Sequence, residues 1–292
     1  MRVTILAQRF IPVIECILTF SSCSPKHTIN PQATKGQQSV RVPMKTEITD
    51  SWAPRLTPGI KRYSITDTSI ISLNNDSAHS SSIQTAAIYN IALTALDDSF
   101  LLTARVESLT TNSRIQEAHV SGKIDSLEQF HATISSTGQS SLIIGSLPSV
   151  CTTGINPVAT RILELTLNYP QRHLKIGDKW SDTVTIISCR TKIPLFQQNI
   201  YQYELTDFIK STQPGLVKIQ RTVTTTFHGV STDLRNQLIV HGSGFNSSTL
   251  YVDQKNGMLV ESTEHSQLLL LLTTTRGTYP FTQNIFTHIT VQ

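Results

Sequence analysis

The residues of this chain that could do chemistry are few and scattered. His241-Gly242-Ser243-Gly244 suggests a hydrolase serine, but a nucleophile elbow needs Gly-x-Ser-x-Gly on a strand-to-helix turn. Here a hairpin pattern follows, no α/β alternation surrounds the segment, and glycines inside a strand more often mark a bulge or close packing. Asp97 and Asp98 are adjacent carboxylates, yet they fall at a turn signal, where Asp is favoured for bonding back to the backbone. The nine histidines, from His27 to His288, form no His-x-x-x-His pair and no His-Glu-x-x-His signature. His119 and His131 could meet across a hairpin, as could any two strand residues, and single polar-face histidines are the simpler reading. No glycine-rich phosphate loop is present. These residues predict neither a catalytic motif nor a metal motif, and no cofactor.

The four cysteines carry more. Residues 1–22 have the three parts of a secretory signal. Arg2 and Arg9 make the positive start, Phe10 to Phe20 an apolar run, and Ser21 and Ser22 the small residues before cleavage. The run is too short for a membrane span, which needs roughly 20 apolar residues, and Glu15 interrupts it. Phe20-Ser21-Ser22-Cys23 resembles the bacterial lipobox, with Phe20 where Leu is usual. The resemblance implies a diacylglycerol thioether on Cys23, and Ser24 after it favours the outer membrane if the host has two membranes. An ordinary signal peptide cut nearby is the alternative, giving a periplasmic or secreted soluble protein. Cys16 lies inside the signal, so Cys151 and Cys189 remain and can pair. Oxidised pairs persist in exported proteins, and closing a loop of about 40 residues is worth roughly 4 kcal/mol in the chain-entropy model. Two free buried thiols are the alternative. Zinc is disfavoured, because the two cysteines are far apart with no adjacent histidine.

Composition narrows the partners. The formal net charge is +4 and changes little without Arg2, Arg9 and Glu15. Basic residues are scattered rather than clustered with aromatics, which argues against nucleic acid as a partner. Charged residues make up only 15% of the chain. Ser and Thr are abundant, as in exported β proteins with hydroxyl-rich solvent faces.

The elements that must position these residues read mostly as strands. Residues 23–58 carry Pro25, Pro31, Pro43, Pro54 and Pro58 without a sustained apolar period, which predicts an extended tether. From residue 59 to 292 the chain alternates. Phe100, Leu102, Ala104 and Val106 share one parity, as do Tyr201, Tyr203 and Leu205, and Ile219, Val223 and Phe227. Such alternation marks half-buried antiparallel strands. Turn signals separate them at 73–76, 97–99, 213–215 and 253–257. Leu268 to Leu272, five consecutive leucines, predict a strand buried on both faces. Asn156-Pro157 is a helix start, and Val158, Ile162, Leu165 and Tyr169 continue at helical spacing, predicting a helix over 157–168. The alternation of Leu163, Leu165 and Leu167 competes with it.

Leu174-Lys175-Ile176-Gly177-Asp178-Lys179-Trp180-Ser181-Asp182 is the most distinctive run. Gly177 permits the positive φ of a tight turn, Asp178 can bond back into it, and Trp180 offers a large apolar surface to a core. A structural turn with an anchoring tryptophan is the stronger reading, a ligand-stacking tryptophan the weaker. The order Cys151, helix-like segment, Pro170, Gly177-Asp178-x-Trp180-x-Asp182, Cys189-Arg190, then Tyr201 or Tyr203 resembles an uncharacterised family of bacterial exported and lipid-anchored β-sheet proteins. Gly242-x-Gly244 and the Leu250-x-Val252-Asp253-x-x-x-Gly257 hairpin fit the same pattern, so the resemblance spans about residues 60–290. It implies an all-β envelope protein and brings no catalytic residues.

The expectation is therefore an all-β fold, a large curved antiparallel sheet or half-barrel with one short helix, since so many strands in one sheet must curl or split. The expected role is a non-enzymatic envelope lipoprotein held at the membrane by its N-terminal lipid. By architectural analogy with bacterial lipoprotein carriers, its concave face would take a lipid, another apolar ligand or an envelope partner. A hydrolase acting on envelope material is the alternative.

Overall fold

The structure, a computed structural model, describes residues 51–73, 76–115, 118–124, 129–139, 165–190, 193–210, 213–230 and 238–292. Eleven strands lie among these residues: β1 (Gly59–Leu73), β2 (Asp76–Ala95), β3 (Ser99–Ile115), β4 (Ala118–Ile124), β5 (Gln129–Ser135), β6 (Lys179–Arg190), β7 (Ile193–Ile209), β8 (Leu216–Val230), β9 (Leu238–Asp253), β10 (Leu259–Thr274) and β11 (Gly277–Val291). They form one antiparallel sheet in the order β4-β3-β2-β1-β11-β10-β9-β8-β7-β6, with β5 also on β3. Strands β4 and β5 take successive lengths of β3, against Leu109–Ile115 and Ser99–Arg105, and so share one edge. The sheet is not closed, and the expected large curved all-β sheet is what the chain forms.

Most successive strands are hairpin neighbours because the turn residues lie where the alternation breaks. Between β9 and β10 the Gly257 amide donates to the Asp253 carbonyl at 2.9 Å. The Asp253 carboxylate accepts from the Lys255 amide and the Asn256 side chain. Gly257 takes φ +65°, and a Cβ there would stand 2.8 Å from the Arg55 carbonyl oxygen. Besides β5 on β3, the pairing that is not between successive strands is β1 with β11, which joins the first and last of these strands through pairs such as Ile65↔Ile289.

Among the described residues one face of the sheet is largely buried. Tyr63, Ile65, Ile91, Leu102, Tyr203, Leu205, Ile219, Leu250, Leu259 and Ile289 belong to one apolar cluster, and Val240, Leu268, Leu270, Leu272, Phe281 and Ile285 to a second. The leucine run departs from expectation. Leu268, Leu270 and Leu272 are buried, but Leu269 is 49% and Leu271 41% exposed. The sheet is a single layer there, so alternate leucines face solvent.

Two further expectations are corrected. The tether is expected to run to residue 58, yet Trp52 and Leu56 are buried in the first cluster. Trp52 and Leu174 exchange backbone bonds of 2.8 and 2.7 Å, and the Trp52 indole donates to the Gln254 carbonyl at 3.0 Å. The packed body therefore begins ahead of β1. The end of the expected helix is also different. Leu165 is helical, but residues 166–168 are not, and Leu165, Thr166, Leu167 and Tyr169 are all buried. The Tyr169 amide donates to Thr137 and its hydroxyl to the Gly257 carbonyl at 2.9 Å. These partners come from other parts of the fold and override the local helical spacing. Residues 157–164 lie outside the described residues.

Candidate functional site

The Gly177 turn leads from this buried segment into β6. Gly177 takes φ +88°, and its amide donates to the Leu205 carbonyl at 2.8 Å. The Asp178 carboxylate accepts from the Lys175 amide at 2.9 Å and from Arg172 at 2.6 Å. The Lys175 amide bond, with the Arg172 bond second, holds the Asp178 carboxyl below the usual carboxylate range. Trp180 donates through its indole to the Asn168 carbonyl at 2.9 Å and stacks on Tyr203, ring centroids 5.1 Å apart. Its ring is thus occupied by protein on the inner face. Cys23 and Cys151 lie outside the described residues, and Cys189 stands in β6 opposite Pro194; the proposed pair falls outside what is described.

Trp180 begins a row that crosses the inner face at one level. In register it continues through Tyr203 of β7, Arg221 of β8, Ser248 of β9, Glu264 of β10, Thr287 of β11 and Asp67 of β1. Inward positions are therefore polar in the middle of the sheet, between the two apolar clusters. Arg221 and Glu264 form an ion pair of 2.5 Å with side chains only 2% and 6% exposed. Burying charge is costly unless the pair is also hydrogen-bonded, and this one is. Arg221 Nε donates to Ser248 Oγ at 2.9 Å, and Ser262 Oγ donates to Glu264 Oε1 at 3.0 Å. Asn246 Nδ2 donates to Ser266 at 2.6 Å and to Glu264 Oε2 at 3.3 Å. Arg221 also lies over the Tyr201 ring, 5.9 Å from its centroid. Burial raises the Tyr203 hydroxyl to about 12, against the opposing pull of the Arg221 charge.

Beside the ion pair is a small cavity lined by Asn199, Tyr201, Arg221, Asn246 and Glu264 on its polar side and by Val223, Phe227 and Leu268 on its apolar side. It leaves about 40 Å³ for the centres of water-sized molecules, room for a few waters. Ligand pockets for drug-sized molecules are roughly ten times larger. Asn246 Oδ1, a buried acceptor, has no donor. The arrangement can accept one more hydrogen bond from a small group.

The other candidates do not converge on it. Ser243 and His241 face outward and are exposed, as are Asp97 and Asp98 at the β2–β3 turn. Gly242 and Gly244 face inward, where an added Cβ would meet Leu270 and Leu268 at 2.5 and 2.1 Å. Their role is close packing under the leucines of β10. Among the described residues no group of three or more His, Cys, Asp or Glu could hold a metal ion, and no helix is long and apolar enough to cross a membrane.

No family model matches the chain, and no curated protein matches it. Among solved structures it is similar to DynF from the dynemicin biosynthesis pathway of Micromonospora chersina, at 10% identity and TM-score 0.24, over 88% of this chain and 92% of that one. It is also similar to Pseudomonas aeruginosa OpdQ, at 7% identity and TM-score 0.25, over 84% of this chain and 100% of that one. A third, Pseudomonas aeruginosa OpdK with vanillate, gives 5% identity and TM-score 0.22, over 80% and 99%. Scores of this size do not establish a shared fold.

Proposed function

We propose that the chain is a non-enzymatic lipoprotein of the cell envelope, exported by residues 1–22 and anchored through lipid on Cys23. It binds an envelope partner or ligand at the inner face of its curved sheet. The supporting observation is the polar belt around Arg221 and Glu264, set between two apolar clusters beside a cavity where Asn246 Oδ1 still lacks a donor. A hydroxyl or amine on an otherwise apolar ligand, or on a partner's side chain, matches that chemistry. A whole acyl chain does not fit about 40 Å³.

Native mass spectrometry of the full-length protein extracted from bacterial membranes tests both parts. The expected result is a diacylglycerol mass on Cys23 plus a non-covalent companion that Asn246→Leu releases. A companion unaffected by Asn246→Leu places binding elsewhere. An anchored protein with no companion removes the inner-face ligand, and a product without lipid removes the anchor.

A further inference from the structure

On the outer face, behind the second apolar cluster of Phe227 and Val240, His228 of β8 and His241 of β9 are direct cross-strand neighbours. Both are exposed. Their ring centroids are 4.6 Å apart, and Nδ1 of one stands 3.3 Å from Nδ1 of the other. As a hydrogen bond this contact is long, since N–H donors usually approach oxygen acceptors to 2.7–3.2 Å. As a pair of metal ligands it is the right length. Two nitrogens each about 2.0–2.1 Å from one ion, at the tetrahedral angle, stand about 3.3 Å apart.

We infer that His228 and His241 form a two-imidazole site for a late first-row divalent metal ion on the outer face. The two paired strands fix the register of the rings. Whichever ring carries its proton on Nδ1 moves it to Nε2, and a small turn of the exposed rings aims both Nδ1 lone pairs at one ion. Imidazole suits copper, nickel and zinc, with copper(II) the tightest by the usual order of stabilities. Water completes the coordination. The flanking register positions are Phe196 on β7 and Leu271 on β10, which supply no competing charge. The site is separate from the inner face and does not depend on its ligand.

The test uses the full chain without an affinity tag, titrated with Zn²⁺ and Cu²⁺ alone. The expected result is one ion per chain and a copper spectrum with two equivalent nitrogen couplings. Both are lost in His228→Gln and in His241→Gln and kept in His131→Gln, which alters an exposed histidine elsewhere on the sheet. Wild-type-like binding in either pair variant would overturn the site, as would a single nitrogen coupling. Nitrogen-15 shifts of the imidazoles on adding Zn²⁺ give the same answer without variants: Nδ1 of both rings must move, and a shift confined to Nε2 rejects the geometry.

Discussion

Arg221 and Glu264 lie on β8 and β10, strands that are not sheet neighbours, and they meet over Ser248 of the intervening β9. One buried ion pair therefore ties three strands at the centre of the inner face. Its neighbours, Asn246, Ser248, Ser262 and Tyr201, supply the bonds that make the burial tolerable.

Removing one partner leaves the other charge buried and alone. Arg221→Met or Glu264→Leu alone is expected to destabilise the fold by about 3–5 kcal/mol, and the double variant to recover much of the loss. Urea unfolding of all four proteins gives the coupling. Additive losses would mean that the pair is not a unit.

The inward glycines of β9 separate packing from catalysis. Gly242→Ala places a methyl 2.8 Å from the Leu269 carbonyl oxygen as well as against Leu270, and is expected to cost about 1–3 kcal/mol. Ser243→Ala, on the exposed face, is expected to fall within about 0.5 kcal/mol of wild type. Thermal melts of both variants check the contrast. A turnover assay on ester substrates that responds to Ser243→Ala would favour the hydrolase reading.

The chain ahead of β1 is part of the body. Trp52→Ala is expected to lower stability by about 3–5 kcal/mol, the usual loss for a buried tryptophan. The same change in a detached tether would be silent. Chemical denaturation distinguishes the two.

Base should open the inner face. The Tyr203 hydroxyl is raised by burial to about 12, and burial raises Tyr63 and Tyr169 as well. A group whose folded value lies above its unfolded value of 10.0 contributes stability that is complete below about pH 10. That stability is lost as pH rises through the folded value. Tyrosinate absorbance and circular dichroism should therefore change together between about pH 10 and 12. Circular dichroism that stays native to well above about pH 12 would contradict this linkage.

Much of the sheet was legible because its evidence is local. Tyr201, Tyr203 and Leu205 alternate with polar residues, and the Asp253–Gly257 turn announces the β9–β10 hairpin. The polar belt was not read, although a signal was present. Arg221 shares the parity of Ile219 and Val223, and Glu264 and Ser266 share that of Leu268, so the period itself pointed these groups inward. Polar type in a half-buried strand is ordinarily read as outward-facing, and partners 43 residues apart leave no local trace. The same alternation from Glu264 to Leu272 would have shown the leucine run to be buried on one face only. The segment 165–169 failed for the opposite reason: its helical spacing is local, and the acceptors that bind Tyr169 are not.

The joining of β1 to β11 has a consequence for biogenesis. One edge of β1 waits for β11, the fifteen-residue strand that follows all the other described strands. Until β11 is made, β1–β5 and β6–β10 share no strand pairing and meet only through contacts such as the Tyr63 hydroxyl with the Leu259 carbonyl. Strand pairing between the two halves is thus deferred until β11 has been made.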